Sequence, residues 1–253
     1  NELKIPVIIW QHGEMNLYND IFTESVETKY TTHYLCYGES VKPKYEAYIG
    51  KSPMKNIFTV GSTHKNITWE SGQHILYVTG KWMKFVIPFI DVIDPDTRLY
   101  NAQKDILEYL NSIGDKHSVV FKGNNSPGLS ETPFCHKNIK IDETTPFTTL
   151  LENAKLVILD TPATTCIETC STTVPLFVLT GRTNWYEKPT ELLQKRAVLA
   201  DTTEKLICNL KNYLNDNIYP ADINNREFLN EYGSQYTRER AVTNTIKALN
   251  EIL

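Results

Sequence analysis

The sequence lacks long apolar runs and has no excess of positive charge. No segment approaches the ~20 consecutive apolar residues that a membrane-spanning helix requires. The 253 residues include 26 Lys and Arg against 30 Asp and Glu. A surface that neutralises many nucleic-acid phosphates needs a basic excess. We therefore expect a soluble protein that does not bind nucleic acid, although a local pocket could still bind a small anion.

Three common site motifs are also missing. Neither the GxGxxG nor the GxxxxGKS/T phosphate-binding motif occurs, which argues against dinucleotide dehydrogenases and P-loop NTPases. The five cysteines form no CxxC pair, and their odd number argues against a disulfide framework or a zinc site. Asp94 and Asp96 match a DxD pattern that holds divalent metals in some enzymes, but helix capping explains them better. We predict free thiols, no metal, no cofactor and a cytoplasmic location.

Short β-branched or aromatic runs alternate with helical patterns along most of the chain. This alternation predicts an α/β fold with a doubly wound, mostly parallel, Rossmann-like sheet. The nearly continuous apolar run at 156–159 is typical of a strand covered by helices on both faces. The predicted strands are 7–10, 34–37, 57–60, 75–78, 118–121, 156–159, 176–179 and 197–199. The predicted helices are 98–113, 147–154, 166–171 and 205–214, followed by two more in the last thirty or so residues.

A polar stretch at 61–72 separates the first three strands from the rest, and it predicts a domain boundary. Three strands are too few to bury a sheet of their own. We expect residues 1–72 to finish an N-terminal α/β domain that begins outside this sequence. Residues 73–215 then form a Rossmann-like nucleotide-binding domain, and the helices of 216–253 pack across the junction.

The strongest local signal is a buried strand, a polar turn and a helix start within 156–168. A helix that opens near Ala163 leaves backbone N–H groups unpaired, and Thr164 and Thr165 add hydroxyl donors, which favours an anion site. Glu168 could then accept hydrogen bonds from a ribose. Alternatively, the threonines cap the helix and Glu168 complements its dipole. The sequence favours neither interpretation.

Other predicted strand ends also carry cations beside a glycine. Lys81, Lys122 with Asn124, and Arg182 each follow or end a strand of the predicted sheet. Because the carboxyl ends of parallel strands meet at one edge, these side chains could reach the same anion. The alternative for each is a solvated loop cation.

A further polar cluster follows the first strand, where Gln11 leads into His12, Gly13 and Glu14. His12 could act as an acid or base near neutral pH, and Glu14 could orient it or act itself. Gly13 would let a substrate approach the backbone. The alternative is a structural histidine, which is the commoner case.

With these motifs in place, the chain resembles the C-terminal part of a GT-B glycosyltransferase of surface or capsular polysaccharide synthesis. That group includes CDP-glycerol glycerophosphotransferases and Kdo or sialic-acid transferases, and the likeness spans roughly residues 5–215. Where glycerophosphotransferases have Asp-Tyr-Ser-Ser, this sequence has Asp160-Thr161-Pro162-Ala163, which weakens CDP-glycerol as the donor. The matching segments are His12-Gly13, Tyr37-Gly38-Glu39, Val60-Gly61-Ser62, Leu150 to Ala154 and Asp160 to Glu168.

The resemblance implies transfer of a sugar or polyol phosphate from a nucleotide donor, CMP- or CDP-linked, to a glycan acceptor without a metal. It also implies peripheral association with membrane assembly machinery at the inner face of the membrane. His12 and Glu14 would be catalytic. The alternatives are a sugar-nucleotide epimerase of the same fold and a non-catalytic domain that binds a nucleotide sugar or a partner. The donor would be bound by Lys81, Lys122, Asn124, Asp160, Thr164, Thr165, Glu168 and Arg182.

Overall fold

The computed structural model divides into two compact units, which are described separately. The first unit comprises Asn1–Asn66, Trp185–Leu193 and Arg226–Leu253, and the second comprises Ile67–Asn184 and Gln194–Asn225. The domain boundaries expected at 72 and 215 stay predictions. The residues that the structure describes are 5–11, 28–62, 69, 72–80, 96–123, 134–181, 184–233 and 235–253.

The secondary structure follows the predicted alternation. All eight predicted strands are present with ends within two residues of those expected, and one further strand, β6, is found. The strands are β1 Ile8–Trp10, β2 His33–Cys36, β3 Asn56–Thr59, β4 His74–Val78, β5 Ser118–Lys122, β6 Lys140–Asp142, β7 Ala154–Leu159, β8 Leu176–Leu179 and β9 Val198–Ala200. The helices are α1 Lys42–Glu46, α2 Asp96–Ile113, α3 Phe147–Leu151, α4 Thr164–Cys170, α5 Glu187–Gln194, α6 Thr203–Asp216 and α7 Arg238–Ile252, with a 3-10 turn at Glu39–Val41 and a π-helical turn at Leu229–Gly233.

The first unit contains a parallel sheet with the strand order β1-β2-β3. The central strand β2 is buried along its whole length. Tyr34 of β2 stacks on Tyr45 of α1 with ring centroids 3.8 Å apart, and the two hydroxyls lie 2.7 Å from each other. This pair anchors α1 to the sheet, because a buried tyrosine hydroxyl needs a hydrogen-bond partner.

The second unit contains a six-stranded parallel sheet with the order β6-β5-β4-β7-β8-β9, which is the order of a Rossmann fold. The chain runs outward from β4 through β5 to β6, and then returns to β7 and continues through β8 to β9. The direction therefore reverses between β4 and β7. The predicted doubly wound α/β fold is confirmed.

The core of the second unit covers both faces of β4 and β7. Ile75 and Tyr77 pack with Ile106 and Leu110 of α2 on one face, and Leu76 on the other face is equally buried. Strands buried on both faces require such continuous apolar runs. This burial fixes the register in which Val78 pairs with Leu159 at the carboxyl end.

Within the described ranges, no helix is both long and apolar enough to cross a bilayer. All five cysteines are free thiols in the structure. Cys36, Cys166 and Cys170 are buried, and Cys135 and Cys208 are exposed.

Candidate functional site

The candidate site lies at the carboxyl edge of the six-stranded sheet, between β4 and β7. In a doubly wound sheet, ligands bind in the crevice where the strand order reverses, because the crossovers on either side leave on opposite faces. Thr79 and Gly80 follow β4 at this point, and Asp160 to Thr165 follow β7. The structure therefore brings Asp160, Thr164 and Thr165 to the edge where the sequence placed them.

Asp160 is held from several directions by the protein itself. Its carboxylate is almost fully buried, with 1% of the residue exposed. Oδ2 accepts hydrogen bonds of 2.7 Å from the hydroxyls of Tyr77 and Thr79, and Oδ1 accepts one of 2.7 Å from the backbone N–H of Gly80. The side-chain amide of Gln103 lies 3.4 Å from Oδ2 and also donates to Thr79 Oγ1. Each oxygen of a buried carboxylate thus has donors, as burial requires.

Helix α4 begins beside this cluster. Its N-cap residue is Ala163, which makes no side-chain capping hydrogen bond. Thr164 and Thr165 are half-buried and occupy the first turn. Glu168 lies one turn further along the helix, half-buried, and burial raises the pKa of its carboxyl to about 7. This carboxyl changes its charge near neutral pH.

Lys122 ends β5, next to β4, and pairs in register with Asp142 of β6. Burial lowers the pKa of the Lys122 ammonium, while the charges of Asp142 and Glu143 oppose that shift. The carboxylate of Asp142 accepts hydrogen bonds from the N–H of Thr145 (2.8 Å) and its hydroxyl (2.9 Å), and these bonds, with the Lys140 ammonium 3.2 Å away, hold its pKa at about 2. Lys122 therefore ends its strand at the carboxyl edge with two acids beside it.

Five of the predicted site residues lie outside the described residues: His12, Glu14, Lys81, Asn124 and Arg182. Gln11, immediately before His12, is described and almost fully buried. Its N–H donates to Leu35 O (2.8 Å) and its Oε1 accepts from the N–H of Tyr37 (2.8 Å). Gln11 thus ties the end of β1 to the end of β2.

Tyr77, Thr79 and Gln103 also lie at the site, and the sequence did not predict them there. Gln103 left a readable signal, because it occupies a buried position on the otherwise apolar stripe that α2 turns toward the core. A buried polar residue on such a stripe needs a partner. Tyr77 carried no such signal, since tyrosine is common in strands.

A groove of about 340 Å³ opens near the other end of the sheet, where α2 and α6 end. Lys211 Nζ lies 5.4 Å from the ring centroid of Tyr109 there, and Lys116 and His117 line the same groove. Lysine side chains are favourable beside the partial negative charge of helix C-termini, which accounts for Lys116 and Lys211. We do not assign the candidate site to this groove, because it lies away from the carboxyl edge.

Among the residues that the structure describes, no group of three or more His, Cys, Asp or Glu side chains is placed to hold a metal. Asp94 of the DxD pattern lies outside those residues, and Asp96 is the first residue of α2.

Comparison with known proteins gives a family and a fold. The sequence pattern of the LIC12162 family transferases matches residues 1–201 of the 253. No curated protein matches the chain in sequence.

Three solved structures are similar over most of this chain. A TarM variant from S. aureus, in complex with fondaparinux, alpha-GlcNAc-glycerol and UDP, has a TM-score of 0.54 at 13% identity, covering 97% of this chain and 51% of that one. The sucrose-phosphate synthase of Thermosynechococcus elongatus has a TM-score of 0.53 at 10% identity, covering 92% and 61%. A putative UDP-N-acetylglucosamine 2-epimerase from Listeria monocytogenes has a TM-score of 0.52 at 16% identity, covering 87% and 59%.

This chain spans between half and about three fifths of the length of those structures. At such low identities the likeness establishes the fold. It agrees with the Rossmann-like, GT-B type of architecture that the sequence predicted.

Proposed function

We propose that this chain, which belongs to the LIC12162 transferase family, is a glycosyltransferase. It would move a sugar or polyol phosphate from a nucleotide-activated donor to a surface glycan. One observation carries the proposal. Polar side chains and a helix start converge at the switch point between β4 and β7, which is where a Rossmann sheet binds nucleotides.

The second unit would bind the donor. Thr164 and Thr165 lie at the start of α4, next to the switch point, where hydroxyl and backbone donors suit a phosphate. Glu168, one turn along α4, would accept hydrogen bonds from the ribose. Lys122 would supply positive charge from β5. The resemblance implies a CMP- or CDP-linked donor, and the UDP in the TarM complex adds a UDP-linked donor as a third option.

His12 or Glu14 would take the acceptor proton, and Lys81, Lys122 and Arg182 would stabilise the charge that develops on the leaving phosphate. We propose that no metal takes part, so activity should persist in EDTA. Loss of activity in EDTA that Mn²⁺ restores would instead assign Asp94 and Asp96 a metal.

The acceptor would be a glycan, and the TarM complex with fondaparinux and alpha-GlcNAc-glycerol supports an acceptor of that class. We propose that the reaction takes place on the cytoplasmic side, with peripheral association at the inner face of the membrane. That location would bring a soluble donor to an acceptor under assembly.

A sugar-nucleotide epimerase is the second candidate, because the putative UDP-N-acetylglucosamine 2-epimerase shares the fold with a TM-score of 0.52. An epimerase changes the donor sugar without any acceptor. A transferase releases the nucleotide only as the acceptor is modified.

Product analysis separates these two functions. The chain is incubated with UDP-, CDP- and CMP-linked sugars, with and without an oligosaccharide acceptor, and the products are resolved by chromatography. Transfer predicts release of one nucleotide per modified acceptor, and loss of that release in the Glu168→Ala variant. An isomerised sugar nucleotide formed without acceptor would favour the epimerase. No change in any donor under any condition would contradict the proposed function.

A further inference from the structure

Five residues behind the switch point form a polar cluster, which we call the Asp160 cluster: Tyr77, Thr79, Gly80, Gln103 and Asp160. Tyr77 and Gln103 have no exposed surface, and Asp160 has 1%. Burying polar groups is costly unless each finds a partner, and the members of this cluster serve as partners for one another. Its members come from β4, α2 and the end of β7, three separate elements of one unit.

The carboxylate of Asp160 extends the pairing of β4 with β7. The register of these strands ends at Val78 and Leu159. Beyond that point Asp160 Oδ1 accepts from the N–H of Gly80, and Oδ2 accepts from the hydroxyl of Thr79. The side chain of Asp160 thus supplies the acceptor for the Gly80 N–H, where strand pairing would supply a backbone carbonyl. In this way it fixes the turn that follows β4.

Two further side chains fix the carboxylate itself. The Tyr77 hydroxyl donates to Oδ2 over 2.7 Å, and the Gln103 amide reaches both Thr79 Oγ1 and Asp160 Oδ2. Hydrogen bonds to a charged acceptor are stronger than neutral ones. The orientation of Asp160 therefore depends on one donor from the strand and one from the crossover helix.

We infer that Tyr77 and Gln103 are positioning residues of the nucleotide site, which act through Asp160 to hold the Thr79–Gly80 turn. This inference rests on the proposed function, since the turn lies at the proposed donor site and leads directly to Lys81 in the sequence. Neither residue needs to touch the nucleotide. Groups that bind a ligand must be held to within about 0.5 Å, and a buried cluster below the turn supplies that support.

Two substitutions remove the supporting donors with little change of shape. Tyr77→Phe deletes the hydroxyl and keeps the ring, whose centroid lies 5.2 Å from that of Phe121. Gln103→Met keeps the length of the side chain and removes the amide. Tyr219→Phe is the matched control, because the Tyr219 hydroxyl hydrogen-bonds the backbone of Leu176 at the amino end of the same sheet (2.9 and 3.0 Å).

Two measurements on these variants test the inference. The first is the protection of the Gly80 amide against hydrogen exchange, followed by NMR. The second is the affinity for UDP, CDP and CMP, measured by calorimetry. We expect Tyr77→Phe and Gln103→Met each to speed hydrogen exchange at the Gly80 amide. Each should also lower the affinity for the nucleotide that the unaltered chain binds by about tenfold. Tyr219→Phe should lower overall stability and change neither quantity.

The outcomes separate the inference from the proposed function. Unchanged Gly80 exchange in both cluster variants would overturn the inference, and so would faster exchange with unchanged nucleotide affinity. An equal effect of Tyr219→Phe on Gly80 would also overturn it, because the effect would then be general. If the unaltered chain binds none of the three nucleotides, the proposed function fails, and Gly80 exchange still decides whether Tyr77 and Gln103 hold the turn.

Discussion

Gly80 approaches Thr161 so closely that a Cβ atom on residue 80 would lie 2.4 Å from Thr161 Oγ1. That distance is shorter than real Cβ contacts allow, so no larger residue fits at position 80 without movement. The two residues follow neighbouring strands, β4 and β7. Their contact therefore lies at the switch point, where the two strand ends are closest.

Gly80→Ala should weaken nucleotide binding about tenfold, because the added methyl displaces the Thr161 side chain beside the proposed site. Thr161→Ala removes the atom that the methyl meets first. The double variant should therefore recover part of the lost affinity, and a double-mutant cycle by calorimetry measures that coupling. Additive effects of the two substitutions would show that the close approach does not shape the site.

Glu168 should make the protein less stable as the pH rises from 4.5 toward 7. Burial raises its pKa from 4.5 to about 7, so the folded state holds a proton that the unfolded chain releases in this range. Glu168→Gln should remove this slope and raise the free energy of unfolding at pH 8 by up to about 3 kcal/mol. Urea unfolding at pH 5 and pH 8 measures the effect. Glu204→Gln, on the exposed first turn of α6, is the control that should keep the slope.

Asp142 should stabilise the second unit above pH 4 and lose that effect as the pH falls toward 2. The hydrogen bonds from Thr145 lower its pKa from 3.8 to about 2, so its charged form is favoured by folding. Asp142→Asn should cost about 1–3 kcal/mol at pH 7 and much less at pH 2.5. Asp201→Asn breaks an exposed ion pair with Lys205 (2.7 Å) and should leave the urea midpoint nearly unchanged. Equal losses of unfolding free energy in Asp142→Asn and Asp201→Asn would contradict a stabilising role for the Asp142 hydrogen bonds.

Nucleotide binding should depend on Glu168 and Arg182, and catalysis should depend on His12. Glu168→Ala and Arg182→Ala should weaken nucleotide binding by about 1.5–3 kcal/mol, the usual cost of a lost charged hydrogen bond. His12→Ala should spare binding and slow transfer by about 10²–10⁴-fold. Calorimetry beside transfer kinetics measures both, with Lys205→Ala as an exposed control. If His12→Ala abolished binding while the other two variants bound normally, the roles would be reversed.

The sequence predicted the interior of the sheet well and its margins less well. The run at 176–179 is found unchanged as β8, because a strand covered on both faces must be apolar throughout. Strand β6 was missed, since Lys140–Asp142 is an edge strand of three residues with a charge at each end. Helix α5 was also missed. It is eight residues long and contains Pro189, a residue that usually argues against a helix.

The candidate site was predicted in its position but not in its construction. The strand, polar turn and helix start around Asp160 are consecutive in sequence, so a local pattern reveals them. The donors to Asp160 are not local: Tyr77 lies 83 residues away and Gln103 lies 57. The sheet order, which places β4 beside β7, brings Tyr77 to Asp160, and the packing of α2 on that sheet brings Gln103. A local pattern cannot carry that information, although Gln103 on an apolar stripe hints that a partner exists.

The most direct test of the central claim is a hydrogen-exchange footprint of the chain with and without UDP, CDP or CMP. Binding at the switch point predicts slower exchange in peptides that cover 77–80 and 160–168, and no change around the groove lined by Tyr109, His117 and Lys211. Slower exchange confined to that groove, or no change anywhere with all three nucleotides, would contradict a nucleotide site between β4 and β7.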